Sequence, residues 1–300
     1  MLNFTPLALD KQDEYIGYYR QCLEKASDYS FVNIWAWADK YRFEWAWQDD
    51  LVWLRYRYGP LYLYGAPIGD WRRKDWQQLL HKNLEPHFIM TRVPEALSDI
   101  IKEQIPRMKI ENQREHWEYI YKISDLIELP GQAYATKRKL ANTFVKRYSY
   151  KFRSLQPDDI PLIKQFMKEW IEQQSQRPDV NIDDLLMENH AINRLLENWR
   201  QLSELFSGSL WIDNRLAAFT FGEKLDEQTV AIHFEKASLD YIGIYQAINR
   251  ITLSTLPDNF IYVNREQDLG LSGLRKAKTE YRPVDFICKN KLMYQINTQE

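Results

Sequence analysis

At 300 residues, 45% hydrophobic and 27% charged, with a formal net charge of −2, the sequence has the make-up of a soluble globular protein of about two domains. Such a balance excludes a wholly disordered chain and one that grips nucleic acid through overall basicity, so any polyanion would have to meet a local patch. Cys22 and Cys288 form no Cys-x-x-Cys pair or disulfide framework, which fits a reduced compartment. The N-terminal MLNFTPLALDKQDEYIG has neither a basic start nor a long apolar run, and no window approaches 18 uncharged apolar residues. A cytoplasmic location is therefore expected, without a transmembrane segment; peripheral contact with a membrane stays open.

In chain order, helical spacing begins at Asp13 and runs to about residue 28. Strands are predicted over 43–48, 51–57 and 61–64, a helix over 71–84, the strand HFIMTRV over 87–93, and a helix after Pro94. A basic connector follows: Leu129 to Pro157 contains no acid but has Lys137, Arg138, Lys139, Lys146, Arg147, Lys151 and Arg153. Helices are predicted over 158–174 and 183–205, broken near Pro178. Strands SLWIDN, LAAFTFGEK and TVAIHFEKA come next, the first two joined by the turn Asp213-Asn214-Arg215, an antiparallel meander. YIGIYQAINRITLSTL is apolar at helical spacing, FIYVN is a short strand, and Leu274–Glu280 a short helix. PVDFICKNKLMYQI reads as one final strand closing the second half.

Some of this order is written twice. Phe4, Leu7 and Asp10 recur at the same spacing as Phe152, Leu155 and Asp158; Trp53 parallels Trp211, and Gly65 parallels Gly222. The expected fold is a mixed α/β one, with two similar units over 1–130 and 131–300 joined by the connector 131–153.

This order of elements is that of the GCN5-related N-acetyltransferase fold (GNAT fold). Two such units in tandem, with KRKLANTF between them and QDLGLSGLRKAKTEYRPV near the end, resemble the C-terminal domain of bacterial phosphatidylglycerol lysyltransferases and, more distantly, the Fem aminoacyltransferases. The resemblance implies direct attack by an acceptor amine or hydroxyl on an activated carbonyl, with aminoacyl-tRNA as donor, or acyl-CoA in the wider superfamily. It implies no covalently bound cofactor. The glycine-spaced loop that holds the pyrophosphate of CoA at a helix N-terminus should follow TVAIHFEKA, but SLDYIGIY has one glycine there. Gln267-x-x-Gly270-x-Ser272 comes nearer the pattern but lies one β-α unit too late. Aminoacyl-tRNA is the expected donor and charged tRNA the expected partner; acyl-CoA-dependent transfer and a non-catalytic binding protein on a duplicated fold are the alternatives.

Alternation along TVAIHFEKA places His233 and Glu235 on one face, where they could bind an amine or act as base, or form a structural pair. Tyr241 and Tyr245 open the next helix, near its positive dipole end, or pack as core residues. Lys137, Arg138 and Lys139, with Asn142 near them, line a phosphate-binding surface or a solvated face. Asn264, Arg265 and Glu266 end a strand where ligands gather in open sheets, Glu266 facing an amine and Arg265 a phosphate, or form a turn held by a salt bridge. Arg275 and Lys278 share a helix face and Tyr281 follows them; the resemblance makes them groove residues that contact the donor. His81, His87, His116 and His190 have no ligand-like spacing, so no metal is expected.

Overall fold

The computed structural model describes residues 2–178 and 180–295; Ile296, the expected end of the last strand, lies outside them. Strands β1 (Thr5–Pro6), β2 (Glu44–Gln48), β3 (Leu51–Tyr58), β4 (Leu61–Tyr64), β5 (His87–Pro94) and β6 (Lys109–Asn112) come first. They are followed by β7 (Glu118–Lys122), β8 (Lys151–Arg153), β9 (Leu205–Ile212), β10 (Arg215–Lys224), β11 (Thr229–Ala237), β12 (Tyr262–Asn264), β13 (Asp285–Ile287) and β14 (Lys289–Gln295). They form two seven-stranded sheets, β1-β2-β3-β4-β5-β14-β6 and β8-β9-β10-β11-β12-β7-β13. Both sheets are mixed and flanked by helices, as the sequence leads one to expect.

The two orders correspond position by position. Each begins with antiparallel strands and reaches one parallel pair, β4 with β5 and β11 with β12, before turning antiparallel again at β14 or β7. Phe4 and Phe152 do stand at the first strand of each sheet. The other two matches are off by one strand: Trp53 is on β3 but Trp211 on β9, and Gly65 follows β4 whereas Gly222 lies within β10.

The chain divides into two compact units, residues 2–118 with 267–275 and 286–295, and residues 119–266 with 276–285. This differs from the consecutive segments 1–130 and 131–300. The last segment makes two strands instead of one, split at Cys288, and β14 inserts between β5 and β6 in the first sheet. A buried charge accounts for its placement. Lys289, with no exposed side-chain surface, meets Asp28 Oδ2 and, at 2.6 Å, Glu118 Oε1, while Asp28 Oδ1 accepts from Arg92 Nη1 at 3.2 Å and Gln267 Nε2 at 2.8 Å. Burial opposes charge on both Asp28 and Lys289, but mutual attraction outweighs it, holding the carboxyl well below and the ammonium above their ordinary pKa values.

The first unit buries Trp53, Trp71 and Trp76; the second buries Phe219, Phe221 and Ile163. Each large ring removes 150–250 Å² from water, on the order of 4–6 kcal/mol of gross burial at about 25 cal/mol per Å². The first helix is shorter than its periodicity suggests, Gln12–Tyr19, because the chain turns so that the hydroxyls of Tyr15 and Tyr19 donate to the Tyr29 and Ala26 carbonyls at 2.8 and 3.1 Å. The connector contains the helix Ala135–Arg147. In the second unit, helices Ile160–Ser175 and Ile182–Asn198 precede the meander, and helix Ile244–Ser254 joins β11 to β12.

Candidate active site

The parallel pair β11 and β12 is short. Thr229, Val230 and Ala231 pair with Tyr262, Val263 and Asn264, after which the strands part. On the other side of β11, the register with β10 shifts between Phe221 and Gly222, so that Phe221 faces Phe234, Gly222 faces Ile232, and His233 is the extra residue of a bulge. Glycine is needed at the shift: a Cβ on Gly222 would stand 2.4 Å from the Ala231 carbonyl oxygen. The bulge and the parting of the strands put His233 beside the gap.

Glu266 reaches the same place from β12. Its φ of 58° lies in the left-handed region that non-glycine residues rarely adopt, and the fully buried Asn264 holds the turn by accepting from the Glu266 amide at 2.8 Å. His233 Nδ1 bonds Glu266 Oε1 at 2.7 Å and Nε2 bonds Glu223 Oε2 at 3.1 Å. Burial works against a charged ring, but the two carboxylates outweigh it and raise the His233 pKa to about 9. The raised pKa favours the imidazolium form, and the two bonds hold the ring between Glu223 and Glu266. Side-chain exposure is 1% for His233 and 2% for Glu223 but 22% for Glu266, so Glu266 is the triad's outlet to solvent.

Glu235 does not pair with His233. It accepts from Asn249 Nδ2 at 3.2 Å and faces Arg265 Nη2 at 3.4 Å. Arg265 lies 5.1 Å from the Tyr281 ring centroid and 6.0 Å from that of Tyr121. Lys278 donates to the Arg265 carbonyl, Tyr121 donates to the Lys278 carbonyl at 2.8 Å, and Tyr134 to that of Tyr281 at 2.9 Å. Lys137 bonds Glu280 at 2.6 Å and covers the Tyr281 ring at 5.1 Å. Seven expected residues, His233, Glu235, Glu266, Asn264, Arg265, Lys278 and Tyr281, therefore meet around the end of β12, with Lys137 reaching them through Tyr281.

The others lie apart from this cluster. Arg138 donates to the carbonyls of Leu129 and Gly131, closing the turn before its own helix. Lys139 and Asn142 face solvent, and Asn142 accepts from Arg250 Nη1 at 3.2 Å. Tyr241 packs edge-on against Tyr148 with centroids 5.1 Å apart. Arg275 makes a bidentate pair with the fully buried Asp268, at 2.8 and 2.9 Å, so its fork is engaged in holding the 268–271 turn. Glu223, Asn249 and Tyr121 are partners the sequence reading missed. Glu223 had one legible signal, an acid ending the apolar strand LAAFTFGEK; the other two show none.

The N-terminus of helix Ile244–Ser254 is occupied from within the unit. Gly243, at φ 82°, lies so close to the connector helix that a Cβ would stand 2.0 Å from the Leu140 carbonyl oxygen, and the Ile242 amide donates to the Tyr148 hydroxyl at 3.2 Å. The gap past the parallel pair of the first unit is also filled: beyond Tyr64 and Met90, the Tyr29 hydroxyl accepts from the Ala66 amide at 2.9 Å and bonds the Thr91 and Arg92 carbonyls at 3.1 and 3.0 Å. Among the described residues, no group of His, Cys, Asp or Glu could hold a metal ion, and no helix is long and apolar enough to cross a membrane.

A family model described as phosphatidylglycerol lysyltransferase, C-terminal, matches residues 19–289. No curated protein matches the chain. Among solved structures, a conserved protein of unknown function from Bacteroides thetaiotaomicron is 28% identical with a TM-score of 0.86, covering 98% of this chain and 100% of that one. The C-terminal domain of a putative lysylphosphatidylglycerol synthetase from Agrobacterium fabrum is 12% identical with a TM-score of 0.63, covering 95% and 91%. FemX is 7% identical with a TM-score of 0.60, covering 99% and 98%. At these last two identities the likeness is one of fold.

Proposed function

As the chain belongs to the phosphatidylglycerol lysyltransferase C-terminal family, we propose that its second unit transfers an aminoacyl group from aminoacyl-tRNA to an amine or hydroxyl acceptor. One observation carries this reading. The partly exposed carboxylate of Glu266 is fixed at 2.7 Å by the ring of the buried His233, whose pKa the neighbouring carboxylates raise to about 9. A partly exposed carboxylate held in place suits a donor whose acyl group bears an ammonium, as an aminoacyl ester does and an acetyl or fatty acyl group does not.

In this reading Glu266 accepts hydrogen bonds from the donor's ammonium and places the ester carbonyl in the gap between β11 and β12. The acceptor's nitrogen or oxygen adds to that carbonyl, with strand-edge N–H groups past Ala231 stabilising the oxyanion. Collapse of the tetrahedral adduct expels the ribose oxygen, which takes up the proton the acceptor loses. His233 and Glu223 touch neither reactant; they position Glu266. An acyl-CoA donor is less well supported, because the helix N-terminus that would receive its pyrophosphate is covered by Leu140 and capped by Tyr148.

Thermal unfolding with a non-hydrolysable 3′-aminoacylamino-adenosine, its deacylated counterpart, and CoA tests the proposal. The aminoacyl analogue should stabilise by about 2.7 kcal/mol at 100 times its Kd, and Glu266→Gln should abolish its advantage over the deacylated compound. Stabilisation by CoA alone would overturn it.

A further inference from the structure

The hairpin of β3 and β4 takes no part in the site, yet it has an unusual surface. Its sequence, RYRYGPLYLY, alternates arginine with aromatic residues, and no acid occurs from Arg55 to Gly69. At the tip Tyr58, Leu61 and Tyr62 are 69%, 57% and 42% exposed, and Arg57 is exposed as well. Arg57 pairs across the strands with Tyr62, and Arg55 with Tyr64.

On that face the side chains form a column. The Arg55 guanidinium lies 4.1 Å from the ring centroids of both Phe4 and Tyr62, and Arg57 continues the row 5.8 Å from Tyr62. Glu44 anchors the middle member through Arg55 Nε at 2.6 Å. An arginine held between two rings is already ordered, so little further entropy is lost when the column is extended. It ends on Arg57 in solvent, with an open ring edge at Tyr62.

The geometry points to this hairpin as a binding surface for single-stranded nucleic acid, in which an unpaired base extends the Arg–Tyr column and Arg57 meets a flanking phosphate. Planar faces that accept any base, beside an exposed cation, are what such a strand requires. The choice of RNA rests on the proposed donor.

Fluorescence anisotropy of a labelled, CCA-ending RNA 12-mer, across 50–200 mM salt, tests this with the intact chain. Tyr62→Ala should weaken binding about tenfold. Arg57→Gln should do likewise and lower the salt slope by about 0.7, whereas Arg57→Lys should keep the slope but still bind less tightly, since it retains charge and loses the stacking plane. These side chains are exposed, so melting temperatures should stay at the wild-type value and exclude misfolding. Affinities within twofold of wild type for all three variants, or equal wild-type affinity for a duplex of the same length, would overturn the inference. Binding is read without turnover. Failure of transfer with hairpin-dependent binding intact would count against the proposed function alone, and transfer with hairpin-independent binding against this inference alone.

Discussion

Replacing His233 by glutamine separates its electrostatic role from its place in the bulge. The ring titrates near 6.5 in an unfolded chain and near 9 when folded between Glu223 and Glu266. At 1.36 kcal/mol per pH unit, that difference is worth about 3 kcal/mol, with no discount for solvent because the ring is 1% exposed. The folded value is the higher, so this stabilisation is fully present below pH 6.5 and is lost as pH rises through 9. Glutamine keeps hydrogen-bonding capacity but does not titrate. Urea denaturation followed by tryptophan fluorescence at pH 6, 7.5 and 9.5 should show the wild-type advantage over His233→Gln shrinking by about 3 kcal/mol across the series. Parallel pH profiles for the two proteins would refute the imidazolium assignment, and with it the claim that Glu266 is held by charge.

Lys289→Met would leave Asp28 and Glu118, 5% and 0% exposed, without their shared cation, and should cost about 3–5 kcal/mol in a denaturant titration; a loss below about 1 kcal/mol would mean the cluster relaxes to solvent. Gly243→Ala combines a φ of 82° with a Cβ at 2.0 Å from the Leu140 oxygen, so about 2 kcal/mol or more of stability should go, with faster tryptic cleavage at Lys137 to Lys139 as the connector helix is pushed away; an unchanged melting temperature would contradict that contact.

What could be read in advance follows the range of the interactions. The meander β9 to β11 depends on local alternation and a two-residue turn with Asp213 and Asn214 at positive φ; β10 and β11 lie where their pattern places them, while β9 begins at Leu205, four residues before the expected SLWIDN and where a helix was expected to end. The fate of β14 depends on Lys289 meeting Asp28, 261 positions away, which no periodicity reports. His233 and Glu235 were legible as polar residues on one strand face and Glu266 as one at a strand end, but their partners were not. A one-residue bulge at His233 and a left-handed turn at Glu266 set the partners, and neither has a marker beyond Gly222. Charge was the least reliable guide: Arg138 and Arg275, conspicuous as cations in the sequence, close turns in the structure.

The central claim is that Glu266 receives the aminoacyl group, and transfer itself tests it most directly. Purified protein would be incubated with tRNA charged with labelled amino acid, lysine first, and with phosphatidylglycerol vesicles or amine acceptors, and labelled product would be counted. Wild-type protein should form product, and Glu266→Gln should lower kcat/KM about 100-fold, the worth of a charge-assisted hydrogen bond of about 3 kcal/mol, with its melting temperature within a few degrees of wild type. Equal rates for the two proteins, or transfer from acetyl-CoA with none from any aminoacyl-tRNA, would contradict the account.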